Sequence, residues 1–321
     1  MSKVLITGIT GQDGSYLAEL LLGQGHQVAG LIRRHSDFET QTQKLGTIQK
    51  DIQLLYGDIT DAASINAAIA QSLPDTIYNL AAQSDVKISF LNPTHTTATN
   101  ALGVLNLLET VRTVNPAIRI YQASSSEQFG NSVDADGYQR ETTPMLPVSP
   151  YGCSKLFAYN ICKTYRDSYG MYVVNGILFN HESPRRGTNF LSNKVVKQAV
   201  KIYRGQASVL PLGNLESARD WGHARDYVKA MTLMMAADSP GDYICATGVT
   251  HSIRELVTYV FTKLGLDYQQ YVTQDPAYYR ETDIHHLRGD STQLQQHTGW
   301  TQEYTFTAML DEMIEYWLTQ P

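Results

Sequence analysis

Residues 3–25 read KVLITGITGQDGSYLAELLLGQG. A β-branched apolar run (3–7) passes through Gly8, Gly11 and Gly14 into a segment (14–25) with helical apolar periodicity that ends in glycine. Strand, glycine turn and helix make the first half of a βαβ unit, which commits the chain to a parallel strand next. HQVAGLI (26–32) supplies it, and strands follow at 51–57, 75–82, 119–124 and 172–179. Helices are predicted at 61–72, opened by Asp61 as N-cap, at about 100–113, and as a long helix after Pro150. Near-continuous apolar strands are those buried on both faces, so the pattern predicts an α/β fold: a Rossmann-type doubly wound parallel sheet. Beyond about residue 180 the strands shorten and arginines and aromatics become common. Residues 1–180 plus 226–249 read as the dinucleotide-binding domain. Residues 181–225 plus 250–321 read as a smaller C-terminal substrate-binding lobe. The helix and strand within 226–249 are expected to return to the main sheet, and no flexible linker separates the lobes.

Composition narrows the function classes. A formal net charge of −6 argues against non-specific nucleic-acid binding. No apolar run reaches the length of a membrane span, and the chain opens directly into a strand without a secretory leader. Cys153, Cys162 and Cys245 form no CxxC pair, which suits a reducing cytoplasm. The histidines lack zinc-type spacing, His285 and His286 reading as a solvated pair, so no metal is expected.

The glycine triplet lets backbone approach a pyrophosphate, and the helix N-terminus adds N–H donors and positive potential. The second strand selects the dinucleotide. Arg33 and Arg34 stand where an NAD reader carries an acid, and two guanidinium groups favour the 2′-phosphate of NADP. Asp58, after the third strand, is placed to accept from the adenine amine or to serve as a turn residue. In SPYGCSK, Tyr151 and Lys155 lie four apart at a helix start, on one helical face. The ammonium is expected to lower the phenol pKa and make the tyrosinate accessible. SSSE (124–127) closes the strand just upstream, so Ser125 and Glu127 are expected in the same cleft. Tyr, Ser and Lys suffice for hydride transfer at a secondary alcohol. The extra carboxylate implies a second step: proton abstraction beside the new carbonyl and protonation of a departing hydroxyl.

Together these residues resemble the extended short-chain dehydrogenase/reductase superfamily and, within it, the GDP-mannose 4,6-dehydratases. The likeness runs through GITGQDGSYLAELL, YNLAAQS, YQASSSE, SPYGCSK, ILFNHESPRRG and LGNLESARDWGHARDYVKAM. It implies a catalytic set of Ser125, Glu127, Tyr151 and Lys155. Tyr151 takes the hexose O4 proton and later reprotonates C5, Ser125 donates to the C4 oxygen, and Lys155 holds the cofactor ribose. Glu127 removes the C5 proton and helps O6 leave as water. It further implies NADP contacts from Gly8, Gly11, Gln12, Asp13, Gly14, Arg33, Arg34, Asp58, Ile59, Leu80, Ala81, Ala82, Ser84, His181 and Arg186. The GDP-sugar side falls to Ser84, Ser125, Ser126, Asn180, Lys194, Leu212, Gly213, Asn214, Arg219, Arg280 and Asp283. The SPRRG run (183–187) resembles the loop whose arginine reaches a neighbouring subunit's cofactor, which makes Arg186 a cross-subunit contact in a homodimer or homotetramer.

Two stretches depart from the family pattern. RETD (280–283) keeps Arg280 but has Glu281 and Asp283 where the family has Pro and Glu, and THTTATNALG (94–103) differs near the sugar. A related GDP-linked sugar such as a manno-heptose stays open on this reading. So does a 4-epimerase or ketoreductase on the same scaffold, although neither uses Glu127, and a non-catalytic dinucleotide sensor, although neither Tyr151 nor Lys155 is lost.

Overall fold

The structure, a computed structural model, describes residues 1–275, 278, 282 and 284–321. Its strands are β1 (Lys3–Thr7), β2 (Gln27–Ile32), β3 (Ile52–Tyr56), β4 (Thr76–Asn79), β5 (Arg119–Ser125), β6 (Val173–Leu178), β7 (Asn180–Glu182), β8 (Leu210–Leu212), β9 (Ala218–His223), β10 (Asp242–Cys245), β11 (Thr250–Ser252) and β12 (Val272–Gln274). The helices are α1 (Gln12–Gly23), α2 (Phe38–Thr42), α3 (Ala62–Ser72), α4 (Val86–Leu91), α5 (Pro93–Thr97), α6 (Gly103–Val114), α7 (Pro150–Tyr169), α8 (Leu191–Tyr203), α9 (Ala224–Ala236), α10 (Ile253–Lys263), α11 (Thr292–Thr298) and α12 (Phe306–Thr319).

Seven strands form one parallel sheet in the order β10-β6-β5-β4-β1-β2-β3. The order reverses direction between β1 and β4, and ligands in such sheets bind outside the strand carboxyl ends at this switch point. The period-2 side-chain alternation explains why these strands are apolar throughout. Val4 and Ile6 of β1, Tyr78, Tyr121 and Val174 pack with α1 and α9 on one face. Leu5, Ile77, Ile120 and Val173 pack with α3, α6 and α7 on the other. Asp61 caps α3 by accepting from the Ala63 amide at 3.0 Å.

A third cluster lies among α8, α10 and α12, with Val196, Val260, Met313 and Trp221 buried. The sheet β11-β9-β7 and the pair β12-β8 belong to this half of the molecule. Leu294, from α11, and Trp300 instead join the cluster beneath α1 and α9. The Trp300 indole N–H donates to the Asp226 carbonyl on α9 at 2.9 Å, which ties the late chain to the main sheet.

Candidate active site

The phosphate loop is shaped by contacts that leave no room for side chains. Gly8 has φ +70°, and a Cβ there would lie 2.9 Å from the Leu80 and Ala81 backbone. A Cβ on Gly14 would lie 2.4 Å from the Gly8 carbonyl oxygen. Gly11 is the N-cap of α1 and offers no side-chain acceptor, so the first amides of this helix face the cleft. Loop, cap and helix make a cradle that fits a pyrophosphate.

Beside the cradle, Thr7 Oγ1 donates to Asn79 Oδ1 at 2.6 Å and accepts from the amides of Leu80 and Ala81, both at 3.1 Å. Asn79 passes the chain to Gln122 at 2.7 Å, and Gln122 donates to the Ala123 carbonyl at 2.8 Å. The Lys155 ammonium donates to that same carbonyl at 3.0 Å. A run of buried polar groups thus connects the ends of β1, β4 and β5 to the catalytic helix.

That helix, α7, starts where its sequence dictates. Ser149 accepts from the Gly152 amide at 3.0 Å, and Pro150 takes the first position, where a missing N–H costs nothing. Tyr151 and Lys155 follow one turn apart, with the ammonium 5.8 Å from the phenol ring centroid. The three serines before Glu127 divide their work. Ser124 donates to Gln128, Ser125 accepts from the Glu127 amide at 3.3 Å and closes β5, and Ser126 is buried in the turn that follows.

The electrostatics correct one expectation. Burial pushes the Tyr151 phenol up to about 12, with the Glu127 charge adding to it, against the opposing pull of the Ser125 hydrogen bond and Arg186. Burial also pushes Lys155 down to about 8. The expected depression of Tyr151 by Lys155 is not found: burial of the phenol itself is the largest influence and raises it.

The cleft encloses about 1500 Å³ and brings together Ser125, Ser126, Glu127, Tyr151 and Lys155 with the glycine loop, Asn180, His181, Arg186, Lys194, Leu212–Asn214 and Arg219. The Asn180 side-chain oxygen is buried there without a partner among the described residues. The GDP-mannose 4,6 dehydratase family model matches residues 5–313. The chain belongs to that family. Human GDP-mannose 4,6 dehydratase is 43% identical over 97% of this chain and 90% of its own length. Among solved structures, UDP-glucose 4-epimerase of Thermus thermophilus, in complex with NAD, superposes with a TM-score of 0.85 at 25% identity, covering 98% of this chain and 99% of its own. RMD of Pseudomonas aeruginosa, complexed with NADPH, shares the fold with a TM-score of 0.81 at 23% identity over the whole of both chains.

The other residues singled out in the sequence are placed differently from one another. Gln12, Asp13, Ile59, Leu80, Ala81, Ala82 and Ser84 line the cleft, as does Arg33, but the exposed Arg34 does not. Both arginines are exposed and follow the end of β2. Asp58 spends one oxygen on the Thr60 amide and hydroxyl, at 2.9 and 2.8 Å, as a turn residue does. Asp13 and His181 bind each other at 2.8 Å, and the second ring nitrogen of His181 lies 2.7 Å from the Phe179 carbonyl. A ring whose two nitrogens both face acceptors is satisfied as the imidazolium. Burial opposes that charge, yet Asp13 overcomes it and the His181 pKa is raised. Arg186 lies 3.1 Å from Glu182 and 3.7 Å above the Phe190 ring, within its own chain's cleft. Arg280, Glu281 and Asp283 lie outside the described residues. Sequence reading missed Lys87, His95, Asn189 and Tyr278, all in the cleft wall. The only advance signal for His95 was its place in the THTTATNALG departure.

Proposed function

We propose that this chain converts GDP-D-mannose to GDP-4-keto-6-deoxy-D-mannose and water, with NADP as a cofactor regenerated in each turnover. The observation that carries the reading is the presence of Glu127 in the same cleft as Tyr151, near enough for its charge to raise the phenol pKa. Family membership and relatives named as GDP-mannose 4,6 dehydratases support the substrate. The glycine cradle, the uncapped start of α1 and the buried Lys155 are suited to a nicotinamide dinucleotide, and Arg33 favours a 2′-phosphate. When bound, that cofactor supplies reversible hydride transfer. The chain's own groups handle the protons. Tyr151, hydrogen-bonded to Ser125 and acting from its ionised form, takes the O4 proton, and Ser125 supports the developing C4 oxygen. Glu127 takes the proton from C5, made acidic by the adjacent ketone, and delivers it to O6 as water departs. Tyr151 returns its proton to C5. A 4-epimerase would leave Glu127 without a task.

The protein works, on this proposal, in the cytoplasm as a homodimer or homotetramer. Exposed apolar side chains at Ile88, Phe90, Leu91, Leu102 and Phe157, on and between α4 and α7, support self-association. No helix among the described residues is long and apolar enough to cross a membrane. The activity is tested by incubating the protein with GDP-mannose and NADP⁺. The expected product is one water lighter, with no net change in nicotinamide absorbance. Unchanged GDP-mannose would overturn the substrate assignment.

A further inference from the structure

Thr7 of β1, Asn79 of β4 and Gln122 of β5 are cross-strand neighbours: Thr7 pairs in register with Asn79, and Asn79 with Gln122. All three are buried, at 1%, 1% and 2% exposure. Polar side chains at that depth cost free energy unless their groups are bonded.

The direction of this polar ladder is forced from both ends. The Thr7 hydroxyl accepts from the Leu80 and Ala81 amides, which fills both of its lone pairs, so its O–H is left to donate to Asn79 Oδ1. Asn79 therefore turns its amide nitrogen to Gln122 Oε1. Gln122 in turn presents its amide nitrogen to the Ala123 carbonyl, a group that can only accept. Neither amide can turn over without setting like groups against each other. The Lys155 ammonium donates to the same carbonyl at 3.0 Å, and among the described residues no carboxylate pairs with it. One of its three N–H groups is spent there, which sets where the other two aim. Lys155 lines the cleft, whereas Asn79 and Gln122 do not. Any effect of Gln122 on a bound molecule therefore passes through its neighbours.

We propose that Gln122 is a positioning residue for Lys155. The ladder from Thr7 through Asn79 fixes its amide against the Ala123 carbonyl, and that carbonyl aims the ammonium at the bound dinucleotide. The identity of the molecule aimed at rests on the proposed function, whereas the positioning rests on the register and the hydrogen bonds.

The test is calorimetric titration of the full-length protein with NADP⁺ and with NAD⁺, as a double-mutant cycle of Gln122→Met and Lys155→Ala. It is read with the dinucleotide that wild type binds more tightly. Gln122→Met, close in volume, is expected to weaken binding by about tenfold with Lys155 present and by less than about twofold in the Lys155→Ala background. A merely structural role would weaken it equally in both. Asn79→Leu, one link back, is expected to repeat the pattern and decides the matter if a lost thermal transition shows that Gln122→Met does not fold. Turnover is measured alongside: in Gln122→Met kcat is expected to fall about tenfold while KM for GDP-mannose stays within about twofold. If wild type leaves GDP-mannose unchanged but the binding cycle is non-additive, the substrate reading fails and the positioning role stands. Equal losses in both backgrounds, or no loss in either, overturn the positioning role. Wild type that binds neither dinucleotide overturns both.

Discussion

Glu127 separates a dehydratase from a plain redox enzyme on this scaffold. Its amide closes the end of β5 through Ser125, so the backbone is fixed independently of what the carboxylate does. Glu127→Gln keeps the shape and the backbone contact but removes the base. The elimination is expected to slow by about 10²- to 10⁴-fold. Mass analysis of a single turnover is expected to find a 4-keto sugar still carrying O6. Elimination at the wild-type rate would remove Glu127 from the role. Much of this was legible in the sequence, because Tyr151 and Lys155 act through helical spacing and Ser125 and Glu127 through adjacency. The pKa balance was not legible. It depends on how completely Tyr151 and Lys155 are shut away from water, which only the packed structure sets.

The phosphate loop works as an element through what it excludes. Gly14 stands against the Gly8 carbonyl, where a methyl group fits only if the turn moves. Gly14→Ala is expected to destabilise the protein by about 1–3 kcal/mol and to weaken dinucleotide binding at least tenfold. Gly23, at the far end of the same helix, has nothing within 4 Å of an added Cβ. Gly23→Ala is expected to leave dinucleotide binding unchanged and to stabilise by up to about 1 kcal/mol. Thermal unfolding and cofactor titration of the two variants check both. Equal behaviour would mean that the cradle tolerates a side chain. The strand-turn-helix unit could be read in advance since its signal is local. The helical stretch Val86–Thr97 was not anticipated from the sequence, as its two short helices are set by packing against α7 and by the Asp85 cap.

At the scale of the molecule, the Asp13–His181 pair joins the start of α1 to β7, 168 positions away. Burial alone would raise the Asp13 carboxyl, but the His181 charge and hydrogen bond, with Gln12 and Arg186, hold it below 3.8. Its share of stability is present above that ordinary value and is lost as pH falls through the lower folded one. His181, raised above 6.5, contributes fully below 6.5 and loses its share as pH rises through the raised value. The pair therefore stabilises most between these limits. Asp13→Asn is expected to lower the unfolding free energy by about 2–4 kcal/mol near pH 6, the difference shrinking in alkali. Denaturant unfolding across pH checks this, and a difference independent of pH would refute the ion pair. By itself the sequence determined the parallel sheet, the glycine cradle and the catalytic helix, because each is written in a short-range period or spacing. Only the tertiary structure decided that Arg33 rather than Arg34 faces the cleft, that Asp13 and His181 bind each other, and that Thr7, Asn79 and Gln122 bind one another in turn. Those pairings depend on distances between segments far apart in the chain, and no local pattern encodes them.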